Sequence, residues 1–271
     1  MSLILCRQEP VNHPFYFEEL GVRIFSSQEL CYVIYHNPLL VRNQFVNQRL
    51  IDFIQADLDM THLAAKLVNM QQSEEEDEEL LVTILQECDY YRGTEINQFR
   101  QKLVSYKHMT EANYLKEKGD FLFEGRQYGK AVYEYQKILE LKKGNHGEAA
   151  FMAKVYNNLG ACYGRLFMME KAYRSFIKSF ELVKNQEVLK RIYHLLQWSP
   201  SLKPKDCVTS LMTEALKQEC EIEREKAEGM AQKAESLKKL DELFQKDSIR
   251  RLEGAGELIQ KWKQEYRNIM S

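Results

Sequence analysis

Apolar side chains recur along most of the chain at three- and four-residue steps, the period of a helix with one buried face. Proline occurs only at positions 10, 14, 38, 200 and 204, so the interval from Leu39 to Ser199 is free to be nearly all helix. Ahead of it, Phe15-Tyr16-Phe17 and Val22-Arg23-Ile24-Phe25 flank Gly21 and predict a small hairpin or extended arm. Ser26 with Glu29 three residues later fits a capping box, predicting a helix to about Asn37 that Pro38 ends. Leu50, Ile51, Phe53, Ile54 and Leu58 predict the next helix, and Leu63, Ala64, Leu67 and Val68 one that begins near Thr61.

The run from Ser73 to Glu79 reads in two ways. It is either an acidic tract for cations or basic proteins, or a second capping box (Ser73, Glu76) whose carboxylates favour the positive end of a helix. The second reading suits the stripe that follows, Leu80, Leu81, Ile84, Leu85 and Cys88. Thr94 is predicted to cap a further helix with Ile96, Phe99, Leu103 and Tyr106 on one face.

From position 112 the pattern repeats. Leu115, Gly119, Leu122, Tyr128, Ala131, Tyr135 and Ile138 make up one copy, and Tyr156, Leu159, Gly160, Tyr163, Ala172 and Phe176 make up the second. In both copies an alanine follows the glycine by twelve residues, and an aromatic follows the alanine by four. Small residues on two successive helices let their axes approach, and aromatics fill the space beside them. Residues 112–184 resemble two tetratricopeptide repeats in these positions. The glycines lie 41 residues apart, where the family's period is about 34. The extra residues are expected in the turn Lys142–Gly147, and lysines (Lys143, Lys184) stand where the family ends its repeats with proline. Two such units do not bury their faces alone. Residues 186–197, with Val188, Leu189, Ile192, Tyr193, Leu195 and Leu196, are expected to complete the stack.

The fold expected is therefore all-α: a mainly helical region over 1–110, tetratricopeptide-like hairpins with a third degenerate helix over 111–202, and a long C-terminal helical segment over 203–271. In that last segment, apolar residues from Leu211 to Phe244 and from Leu252 to Ile269 keep a helical period, with Gly229, Asp247-Ser248, Gly254 and Gly256 as weak points. The segment is a candidate for a dimerising coiled coil, or for a helix that packs back on the body.

The resemblance implies a concave face, lined by the first helix of each repeat, that binds a polypeptide. The candidate contacts are Lys116, Asp120, Tyr156, Asn157, Asn158 and Arg191. In members that clamp chaperone C-terminal carboxylates, that face carries lysine and asparagine at set positions. Lys116 and Asn158 match two of them. Asp120 stands where asparagine is expected, Val188 and Ile192 stand where bases are expected, and Lys190 and Arg191 lie out of register. A carboxylate in the groove repels an anionic end.

Charge adds one feature. Residues 1–110 hold 9 bases and 16 acids, residues 111–202 hold 15 and 10, and residues 203–271 hold 14 of each. A basic centre beside an acidic front suits an acidic or amphipathic partner, or a docking of the N-terminal region or the C-terminal helix on the repeats that a peptide displaces. Nucleic-acid binding is not expected, because the excess is mild and the tyrosines follow the repeat register.

No chemistry stands out. The six cysteines form no CxxC pair, the six histidines make no metal spacing, and no phosphate loop or nucleophile elbow occurs. A histidine in the turn Gly144-Asn145-His146-Gly147 is better explained by the turn itself. No apolar run reaches a membrane span, and the opening MSLILC lacks a basic leader. The expectation is a soluble, cytoplasmic, non-enzymatic interaction protein without metal or cofactor.

Overall fold

The computed structural model describes residues 11–42, 44–141 and 148–270, without the side chain of Cys207. The opening MSLILC segment and the turn around His146 lie outside the described residues. The chain is all-α apart from one small hairpin, and it divides into two compact units, residues 1–114 and 115–271.

In the first unit, β1 (Phe15–Phe17) and β2 (Val22–Ile24) pair antiparallel with Phe15 opposite Ile24. Gly21 closes their turn at φ +66°, a conformation that favours glycine. The helices are α1 (Ser27–His36), α2 (Gln48–Ala56), α3 (Thr61–Gln72), α4 (Asp77–Glu87) and α5 (Gly93–Lys107). Their apolar stripes meet in one core with Leu30, Ile34, Leu50, Ile54, Leu67 and Leu81 at its centre. Phe15 and Phe17 bring the hairpin onto it through the rings of Phe45 and Phe53, at centroid distances of 5.0 to 6.2 Å.

Three predicted helix starts differ in detail. Ser26 Oγ accepts from the Glu29 N–H at 3.1 Å, but Glu29 accepts in return from the Phe25 N–H, one residue before the cap. Ser73 ends α3 instead of opening α4, because Glu74 takes a left-handed conformation (φ 54°) and turns the chain; Glu76 is the cap of α4. Arg92, not Thr94, precedes α5, and its N–H donates to Glu95 at 2.9 Å. The acidic run is structural. Glu78 pairs with Arg42 at 3.3 Å, Glu79 with Arg100 at 2.8 Å and Glu76 with Lys107, while Asp77 accepts from the Gln44 N–H. Asp77, Glu78 and Glu79 occupy the first turn of α4, where the helix dipole favours them.

α6 (Glu111–Glu124) begins in the first unit and continues into the second. There it is followed by α7 (Tyr128–Leu141), α8 (Ala149–Arg165), α9 (Met169–Leu182) and α10 (Gln186–Trp198). The hairpins α6/α7 and α8/α9 repeat one another closely. A Cβ placed on Gly119 would lie 2.8 Å from the Tyr135 ring, and one on Gly160 would lie 2.7 Å from the Phe176 ring. The helices therefore approach at the same point in each copy. Ala131 and Ala172 are fully buried. The connecting turns also match: Arg126 (φ 60°) and Phe167 (φ 57°) are left-handed. The Gln127 N–H reaches the Leu122 carbonyl as the Met168 N–H reaches that of Tyr163, each at 2.9 Å. α10 packs on α9 and buries Val188, Leu189 and Ile192, capped by Asn185.

The C-terminal segment consists of the short α11 (Asp206–Thr209), then α12 (Glu214–Ala231), α13 (Glu235–Phe244) and the 23-residue α14 (Ser248–Met270). α12 lies on α10, burying Leu216 and Cys220. Lys190 of α10, itself buried, holds Glu219 at 2.7 Å and Glu223 at 2.8 Å, and Tyr193 donates to Glu221. Those carboxylates raise the Lys190 ammonium above its usual range, and Lys190 in turn lowers Glu223. α13 and α14 form a hairpin that returns to the repeats. The end of α14 sits on α7, with the Met270 backbone against Gly129, and Tyr266 donates to the Leu166 carbonyl at 3.4 Å. No residue of α14 is buried.

Candidate functional site

A groove of about 740 Å³ runs across the first helices α6, α8 and α10, with Tyr135, Met169 and Phe176 contributing from the second helices. Small residues also shape it, since Ala161 and Gly164 of α8 leave its wall low. A smaller cavity of about 230 Å³ beside the hairpin in the first unit is lined largely by polar groups. Of its arginines, Arg42 is paired with Glu78 and Arg49 with Glu18.

Of the six residues expected on the concave face, Asp120, Asn157, Asn158 and Arg191 line the groove. They form one hydrogen-bonded line. Arg191 donates to Asn157 at 2.6 Å, Asn157 to Asn158 at 3.1 Å, and Asn158 to Asp120 at 2.8 Å. Asp120 also receives the Tyr135 hydroxyl and pairs with Lys116 at 2.5 Å. This line crosses all three first helices, so it ties their spacing as well as facing the groove. Tyr156 sits elsewhere, beneath Lys178 of α9, whose ammonium lies 5.2 Å from its ring centre.

Two buried neighbours of Asp120 are shifted from their usual ranges. Burial, followed by the bond to Asp120, pushes the Tyr135 hydroxyl above its usual range; burial, followed by the Asp120 charge, raises the Cys162 thiol to about 12. Cys162 is thus a protonated packing group and not a nucleophile. Lys116 and Asn158, the two positions that match carboxylate-clamping repeats, are both engaged by Asp120.

Further groups on the lining that were not expected at the site include Phe123, Glu124, Arg165, His194 and Trp198. Trp198 is 72% exposed at the end of α10, and His194 Nε2 lies 3.6 Å from Glu223 of α12. Register alone could have found Arg165, which stands 41 residues after Glu124, the offset of the two glycines. Lys190, next to Arg191, faces α12 instead and clamps it.

Among the described residues, no cluster of histidine, cysteine or acidic side chains could hold a metal ion, and no helix is long and apolar enough to cross a membrane. The chain matches no protein-family model, no curated protein and no solved structure at a significant level.

Proposed function

We propose that the chain is a non-enzymatic scaffold or adaptor, built on tetratricopeptide-like repeats, whose groove binds a segment of another polypeptide. The observation that carries this reading is the groove itself. It is open, spans three helices, and carries apolar and polar groups together, as peptide-binding surfaces do. The matching Gly119–Tyr135 and Gly160–Phe176 contacts and the matching turns support the family resemblance. The basic balance of residues 111–202 supports a partner that is acidic or amphipathic.

Ala161→Trp would fill the groove from the middle of its wall, at a partly exposed site. The expected outcome is loss of the partner from affinity capture while the far-ultraviolet circular dichroism and melting temperature stay unchanged. Undiminished capture would refute the groove as the binding surface.

A second, regulatory reading is favoured by the return of α14 onto α7, in which partner binding and tail docking compete. Hydrogen exchange of α14 amides with and without partner tests it, unchanged protection being the refuting result. A chaperone-associated adaptor has less support, because Asp120 occupies the donors a terminal carboxylate would need.

A further inference from the structure

Resting on the groove reading just proposed, we infer that the occupant is an internal acidic segment that carries a large apolar side chain, with Arg165 and Arg191 taking its carboxylates and Trp198 its apolar group. The hydrogen-bonding capacity of the groove is divided unevenly. The amides of Asn157 and Asn158 serve the line between the helices, and the Lys116 ammonium serves Asp120. Arg165, by contrast, is exposed, and has no ion pair or hydrogen bond with any described residue. Arg191 commits one Nη to Asn157 and keeps its remaining donors. These guanidiniums lie on the α8 and α10 side with His194, and their planar donor sets suit carboxylates.

The apolar requirement comes from Trp198 at 72% exposure, with Phe123 and Leu195 on the same lining. An indole and guanidiniums in one groove are the residue types on which binding energy concentrates. The α6 side has the opposite sign. Glu124, at the repeat position that Arg165 fills in the next copy, is exposed and unpaired among the described residues. It repels an acid placed there, so the acidic part of the segment is directed toward α8 and α10, and Glu124 sets the direction of the bound chain.

The test uses the full chain carrying Trp262→Phe, which leaves Trp198 as the sole tryptophan. Three short peptides, blocked at both ends, are titrated: one alternating glutamate with leucine and phenylalanine, one with each glutamate replaced by glutamine, and one with each apolar residue replaced by serine. The first is expected to shift the Trp198 emission to the blue and to weaken as salt is raised. The other two are expected to bind at least tenfold more weakly. By calorimetry with the first peptide, Arg165→Ala is expected to cost about tenfold in affinity (about 1.4 kcal/mol) and Glu124→Gln to gain about threefold. Equal binding of the glutamine peptide, or an unchanged affinity for Arg165→Ala, overturns the charge assignment and leaves the groove reading standing. If no peptide moves Trp198, both fall. A single-stranded oligonucleotide that moves Trp198 when the acidic peptide does not would also overturn the proposal, in favour of a phosphate ligand.

Discussion

Replacing Gly160 by alanine tests the contact on which the repeat packing turns. The new Cβ would lie 2.7 Å from Cδ1 of Phe176, and ordinary contact begins at 3.4 Å, so the ring must retreat by about 0.7 Å. Phe176 is 4% exposed and has little room to do so. Overpacking of this kind costs about 1–3 kcal/mol, while alanine gains about 1 kcal/mol over glycine in a helix interior. The net expectation is a destabilisation of about 1 kcal/mol. Gly229 of α12 supplies the control, since a Cβ there meets nothing within 4 Å; Gly229→Ala is expected to stabilise by about 0.5–1 kcal/mol. The helix-propensity gain cancels in the difference between the two variants, leaving the packing cost alone. Both tryptophans, Trp198 and Trp262, belong to residues 115–271, so urea unfolding followed by their emission reports that unit. Adding Phe176→Leu to Gly160→Ala should recover part of the loss, a non-additivity expected of residues in contact. If Gly160→Ala stabilised as much as Gly229→Ala, the close approach of α8 and α9 at that point would be refuted.

Gly129→Ala would set a Cβ against the Met270 backbone, which cannot give way as a flexible side chain can. The end of α14 is therefore expected to leave α7, seen as faster hydrogen exchange in α14 with unchanged protection in α8 and α9. Phe167 is 67% exposed and left-handed, so Phe167→Gly should raise the stability of its unit by about 0.5–1 kcal/mol in the same urea assay. The hold of α10 on α12 should depend on pH at both extremes. Glu223 is lowered from 4.5, so its contribution is complete above that value and is lost as pH falls through the lower folded value; Lys190 is raised from 10.5, so its contribution is complete below that value and is lost as pH rises through the higher one. Exchange protection of α12 amides should fall in acid, and less so in Glu223→Gln; loss of protection near neutral pH would point to other groups.

Periodicity made the helices readable, because a stripe of leucine and isoleucine states both the element and the face it buries. The glycine, alanine and aromatic positions made the hairpins readable for the same reason: each marks a place where bulk is absent or present. Helix starts were less legible. Ser73 and Thr94 have suitable side chains, but the left-handed turn at Glu74 and the Arg92–Glu95 pairing are set by how the chain reverses, which a local pattern does not record. The groove was legible in part. Asp120 and Asn158 followed from repeat register, and Asn157 and Arg191, the latter out of register, from their nearness to it along the chain. Trp198 and His194 did not, since α10 has no third copy of the motif to align them. Lys190 and Arg191 are adjacent in sequence, yet one is buried against α12 and the other faces the groove, a division that depends on where α12 lies.

The hydrogen-bonded line from Arg191 to Asp120 has a consequence for how such a protein can change over evolutionary time. Arg191 only donates, Asp120 only accepts, and Asn157 and Asn158 do both, so altering one member strands a polar group on its neighbour. Related sequences should therefore exchange Asp120, Asn158, Asn157 and Arg191 in concert or keep all four, while Glu124 and Arg165, bound to nothing within their own chain as described, vary freely as partners diverge.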